Sequence, residues 1–128
     1  MTTENYNRGM EMRKKVLSPA HVERSLAAAD DFTKPMQELV TEFCWGAVWA
    51  RPGLDPKQRS MINIAMISAL GRNNELALHV GGALRNGVSI EEIQEILLQV
   101  SVYCGFPAGL DSMHSAKAAI AKYQEENK

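Results

Sequence analysis

The chain has 128 residues, 45% of them hydrophobic and 23% charged, enough apolar chain for one core and too much for extended disorder. Fourteen Lys and Arg against fifteen Asp and Glu leave a formal charge of −1, so no basic face advertises nucleic-acid binding. No apolar run approaches the roughly 20 residues that span a bilayer, and the polar start MTTENYNRGMEMRKK lacks the apolar core of a secretory leader. A cytoplasmic protein with no nucleic-acid or membrane partner is expected.

Periodicity is helical from end to end. Residues 4–16 read as a short, mixed helix. Ser18-Pro19 is an N-cap followed by a first-turn proline and opens a helix to about Ala29. Thr33 is expected to cap the next helix, whose apolar stripe is Met36, Leu39, Val40, Phe43, Cys44, Ala47 and Val48. Arg51-Pro52-Gly53 ends it.

Asp55-Pro56 repeats the start signal. The helix over about 56–70 is apolar nearly all round, the pattern of a central helix covered on every side. Gly71 stops it, Asn73 or Asn74 caps a further helix that ends at Gly87, and Ser89-Ile90-Glu91-Glu92 is a capping box. Ile93, Ile96, Leu97 and Val100 follow as a clean stripe. Gly105-Phe106-Pro107 breaks the chain before a last helix to about Tyr123. No strand alternation occurs anywhere. The expected fold is all-α: a single domain over 1–128, a bundle of about six helices, with oligomerisation as a source of cover for the apolar helix.

Cys44 and Cys104 form no Cys-x-x-Cys unit, and packing in apolar surroundings is expected of both. His21, His79 and His114 lie too far apart for a helical metal site, so no metal is expected. The helix after Gly71 carries the most chemistry. Arg72, Glu75, His79 and Gly82 share one face, with Glu75 one turn before His79 and placed to orient its imidazole. Gly81-Gly82 costs about 1 kcal/mol per glycine relative to alanine within a helix, which a tight crossing or room for a ligand would offset. A packing histidine and a dipole-favoured Glu75 explain the same residues without catalysis. Trp45 and Trp49 read first as core or interface, with Trp49 also a candidate binding surface. Arg51 beside them is a candidate carboxylate clamp, and Tyr103 a candidate donor in a cavity.

The segments WGAVWARPGLD (45–55) and RSMINIAMISALGRNNELALHVGGALRNGVSIEEIQEILLQVSVYCGFPAGLDS (59–112) resemble the carboxymuconolactone decarboxylase family, most closely its γ-carboxymuconolactone branch. The resemblance implies an alkylhydroperoxidase-like helical fold, a homotrimer or homohexamer, no cofactor, and loss of CO2 from 4-carboxymuconolactone to give 3-oxoadipate enol-lactone in aromatic (protocatechuate) catabolism. It implies His79 as the proton-transfer group with Glu75 orienting it. Arg51, Arg72 and Arg85 are then candidate carboxylate ligands, with Tyr103 a donor to the lactone oxygen. Peroxidase relatives carry Cys-x-x-Cys before the histidine; here Arg72 and Glu75 stand at those positions and Ser60 at that of their relay glutamate. Branch members often read His-Val-Arg where this chain has His79-Val80-Gly81, which leaves Arg85 or Arg72 to replace that arginine. A different lactone or keto acid, or a non-catalytic or thiol-reactive helical oligomer, are the alternative readings.

Overall fold

The computed structural model describes residues 3–128, and every described element is helical. Seven helices follow in order: α1 (Thr3–Leu17), α2 (Pro19–Ala27), α3 (Lys34–Leu39), α4 (Pro56–Leu70), α5 (Asn73–Arg85), α6 (Ile90–Cys104) and α7 (Phe106–Glu126). A π-helix, Val40–Trp49, continues α3 without a break. The chain divides into two compact units, residues 1–55 and 56–128. No described helix is long and apolar enough to cross a membrane.

In the first unit, Ser18 caps α2 as expected, its Oγ accepting from the His21 N–H at 3.3 Å. Thr33 does not cap with its side chain. The Asp30 carboxylate holds that turn instead, accepting from the N–H groups of Phe32 and Thr33. The expected apolar stripe is also displaced. Thr41, Glu42, Trp45, Gly46 and Trp49 are buried, while Met36, Leu39, Phe43 and Val48 are exposed. The reason is a backbone-to-backbone approach of α1 to the π-helix. A Cβ on Gly9 would lie 1.9 Å from the Thr41 carbonyl oxygen, and one on Gly46 2.1 Å from that of Asn5. Only the face bearing Gly46 comes that close, so it turns inward and the larger apolar residues turn out. Arg13, buried beside it, donates from Nη1 to Thr41 Oγ1 at 3.0 Å and from Nη2 to Gln37 Oε1 at 2.7 Å. The rings of Trp45 and Trp49 meet at 4.8 Å between centroids.

The second unit is built from α4–α7 around Ile64, Leu76, Val80, Ala83, Val88, Ile93, Leu97, Ala116 and Ala119. Gly71 takes a φ of 71° between α4 and α5. Asn73 and Asn74 lie within α5, and the cap position falls to Arg72, which makes no side-chain cap bond. The capping box of α6 forms in both directions: Glu92 N–H to Ser89 Oγ at 3.0 Å and Ser89 N–H to Glu92 Oε1 at 2.9 Å. Helix α4 departs from expectation. Ser60, Ile64 and Ser68 form its buried line, whereas Ile62, Met66 and Leu70, on the opposite line, are exposed. Cover on every side was expected of this helix, and the Ile62, Met66 and Leu70 side lacks it. The small serines win because their short side chains let neighbouring helices approach. Cys44 and Cys104 are free and exposed rather than packed.

Candidate functional site

Helices α4 and α5 run antiparallel, and two polar rungs join them. At one end Asn86 Nδ2, just past the last turn of α5, donates to Ser60 Oγ at 2.9 Å and reaches the Pro56 carbonyl at 3.4 Å. One turn further along α4, near the middle of both helices, Asn63 Nδ2 meets His79 Nδ1 at 3.5 Å. Ser60 and Asn63 are one turn apart on α4, and His79 and Asn86 two turns apart on α5, so each pair shares a face. The rungs interrupt an otherwise aliphatic contact in which Ile64, Leu76 and Val80 are fully buried.

His79 is 8% exposed. Burial disfavours its charged form and pushes its pKa down from 6.5 to about 4. At neutral pH the ring is therefore uncharged. It can donate one hydrogen bond and accept one, and it supplies no standing positive charge for a carboxylate.

The structure brings only some of the expected site residues near this ring. Glu75 is exposed, and the imidazole meets the Asn63 amide on the neighbouring helix. Arg72, the N-cap of α5 with a non-helical ψ of 76°, is exposed and lies seven residues before His79. Arg85 lies about 120° from His79 around the helix axis. Its guanidinium folds back over Gly81, where an added Cβ would meet Nη1 at 3.3 Å and Nη2 at 3.4 Å, and its Cζ stands 6.0 Å from the Tyr123 ring centroid. The Arg85 cation thus occupies the space above Gly81. Tyr103 is 82% exposed. It borders an open groove of about 410 Å³ between α4 and α6, walled by Met61, Ile62, Ala65, Ile96, Val100 and Cys104 and set on a different face of α4 from Asn63. Trp49 and Arg51 belong to the first unit, Trp49 buried against Trp45 and Arg51 exposed.

Asn63 and the Ser60–Asn86 pair were missed as site residues. Their signal is present in the sequence: Ser60, Asn63 and Ser68 are the uncharged polar residues inside the apolar run of α4, where each needs a reason to be buried. Among the described residues, no three His, Cys, Asp or Glu side chains come together as a metal site.

The model of the carboxymuconolactone decarboxylase family matches residues 34–118, a span that includes both rungs. The chain is 42% identical over 114 residues to the 4-carboxymuconolactone decarboxylase of Acinetobacter baylyi, covering 89% of this chain and 85% of that one. It is 46% identical over 108 residues to the nitrosuccinic acid decarboxylase of Metarhizium robertsii, covering 84% and 76%. An uncharacterized 15.0 kDa protein of Paracoccus denitrificans is 29% identical over 120 residues, covering 92% and 89%.

Proposed function

The chain belongs to the carboxymuconolactone decarboxylase family, and we propose that, as a carboxy-lyase, it removes CO2 from 4-carboxymuconolactone. One observation carries the choice of substrate: the 42% identity, over most of both chains, to a relative with that activity in its name. The chemistry suits an uncharged imidazole. When the C–C bond to the carboxylate breaks, its electron pair passes through the ring alkene to the lactone carbonyl, giving a dienolate, and a proton added at carbon completes the enol-lactone. The barrier falls when a donor meets the oxygen on which negative charge grows, a contact worth about 3–4 kcal/mol in comparable oxyanion sites.

His79 is the group assigned to the reacting end of the substrate. A guanidinium must then compensate the substrate carboxylates, because the imidazole carries no charge at neutral pH. Arg72 is assigned that part ahead of Arg85, because Arg85 lies about 120° around α5 from His79 with its guanidinium folded over Gly81. The positive end of the α5 dipole lies beside Arg72 and favours the same anion. Glu75, Arg51, Trp49 and Tyr103 receive no role at the reacting atoms in this reading.

A second reading has its own support in the 46% identity to the nitrosuccinic acid decarboxylase. In nitrosuccinate a carboxylate sits on the carbon bearing a nitro group, so the electron pair left by CO2 passes to the nitro oxygens. The requirement is the same: a leaving carboxylate beside an electron sink, and a donor for the oxygen that becomes negative. The test is to supply each compound to the purified protein, following ultraviolet absorbance and CO2 release. Turnover of 4-carboxymuconolactone above about 1 s⁻¹, within the ordinary enzyme range, is the expected result. Turnover of nitrosuccinate alone replaces the substrate, and turnover of neither by folded protein overturns both readings.

A further inference from the structure

We infer that Asn86–Gly87 is a deamidation site, at which the Asn86 side chain closes on the Gly87 backbone nitrogen, and that the rung to Ser60 holds the reaction back while the chain is folded. The inference stands apart from the decarboxylase reading. In the sequence this is the one place where glycine follows asparagine. With no Cβ, glycine hinders attack by its own amide nitrogen least. The pair is there because the end of α5 needs both residues. Gly87 takes a φ of 93°, its N–H bonds to the Leu84 carbonyl at 3.2 Å, and the Val88 N–H bonds to the Ala83 carbonyl at 2.9 Å. That is a Schellman close, which favours glycine. Asn86 is the residue just before it, and its Nδ2 donates to Ser60 Oγ at 2.9 Å and to the Pro56 carbonyl at 3.4 Å. A requirement of the fold therefore sets the labile pair in place.

In the reaction the Gly87 nitrogen attacks Asn86 Cγ. The new N–Cγ bond closes a succinimide ring, the Cγ–Nδ2 bond breaks, and ammonia leaves with the proton that the Gly87 nitrogen gives up. Water then opens the ring at either carbonyl, leaving an aspartate or an isoaspartyl link. The folded chain opposes closure in three ways. The Gly87 N–H is engaged with Leu84, and the Asn86 amide is held by Ser60 and Pro56. An Asn86 ψ of 4° sets the Gly87 nitrogen over the Asn86 backbone nitrogen rather than over Cβ, where the ring forms. The product lacks what held it. A carboxylate cannot donate to the Pro56 carbonyl, and it stands at the negative end of the α5 dipole. An isoaspartyl link lengthens the backbone by one carbon just before the buried Val88. Each modified chain thus loses the rung that kept the site closed.

The test follows the full-length protein in mildly alkaline buffer, folded and in urea, by peptide mass and by isoaspartyl content. Urea-unfolded wild type should gain the mass of an amide NH2 exchanged for OH at Asn86, with isoaspartate appearing beside it, and folded wild type should do so far more slowly. Ser60→Ala, which removes the nearer acceptor, should react about 5- to 10-fold faster than folded wild type, the size of one net hydrogen bond written as a population ratio. Ser60→Cys, a weaker acceptor of nearly the same size, covers the case that Ser60→Ala does not fold. Asn86→Gln should remove the signal, and Asn86→Asp should unfold at a lower temperature than wild type. No mass gain at Asn86 in the unfolded chain overturns the inference, as does a signal that persists in Asn86→Gln. Folded wild type reacting as fast as the unfolded chain overturns the protection, and so does a folded Ser60 variant that reacts at the wild-type rate. Asn86→Asp with wild-type stability overturns the claim that modification opens the fold.

Discussion

Burial of an uncharged His79 makes the stability of the protein depend on pH, and both the size and the sign of the effect follow from the ring's surroundings. The imidazole is 8% exposed and its pKa lies at about 4 in place of 6.5. The unfolded chain, with the ordinary value, takes up the proton first as pH falls. Folding free energy is therefore undiminished above about pH 6.5, declines as pH drops from there towards 4, and levels off below that, where both states are protonated. Each pKa unit corresponds to about 1.4 kcal/mol, so the gap amounts to about 3 kcal/mol, a large part of the 5–15 kcal/mol that is typical of a whole domain. Urea unfolding at half-unit steps between pH 7.5 and 4 measures it, with His79→Gln as the reference. Asp30, held low by hydrogen bonds from the Thr33 backbone and side chain, and Glu92, held low by the Ser89 backbone, also titrate towards the acid end. Both are present in wild type and variant, so their effect cancels in the difference. Wild type should lose stability between pH 6.5 and 4.5 while His79→Gln stays nearly flat. Parallel slopes in the two proteins would refute a buried, neutral His79.

Other substitutions test the packing and the rungs. Gly46→Ala puts a Cβ 2.1 Å from the Asn5 carbonyl oxygen and should cost about 3 kcal/mol by thermal unfolding, near the upper end for overpacking, whereas Gly53→Ala, with nothing within 4 Å, should be nearly neutral. Asn86→Ala leaves the fully buried Ser60 hydroxyl without its donor and should destabilise by about 1–3 kcal/mol. Adding Ser60→Ala should recover part of that loss, and strict additivity of the two would contradict the pairing. Gly81→Ala should stabilise by up to about 1 kcal/mol, since alanine suits a helix interior better than glycine and only the flexible end of Arg85 must give way. A destabilised Gly81→Ala would mean that the Arg85 guanidinium is fixed above Gly81.

How far the sequence could be read depended on which physical signal each element carried. Caps and stops are local, and Ser18, Gly71 and the Ser89–Glu92 box act where the residue types place them, although Thr33 makes no side-chain cap and the cap expected at Asn73 or Asn74 falls to Arg72. The all-helical class was legible for the same reason, since the 3.6-residue pattern repeats in nearly every segment. Choosing the inward face was harder. In α4 apolar residues on nearly every side leave periodicity no single inward face to mark, and in the Val40–Trp49 segment the close approach of α1 at Gly9 and Gly46 decides, a contact between residues more than thirty apart that periodicity cannot register. The site followed the same division. His79 stood out through its own helix, and Glu75 was paired with it by intrahelical spacing. A contact to the ring instead came from Asn63, sixteen residues earlier on an antiparallel neighbour. Arg85 over Gly81 is an i, i+4 relation and was within reach of the sequence, although its distance around α5 from His79 shows only when the helix is built.

Turnover of 4-carboxymuconolactone by His79→Gln, beside wild type and with the fold of both checked by circular dichroism, tests most directly the claim that this buried neutral histidine is the centre of a decarboxylase site. The account predicts a fall in kcat of about 10²-fold or more, the loss expected when a donor to a developing oxyanion is removed. A folded His79→Gln protein that turns the substrate over at close to the wild-type rate would contradict it.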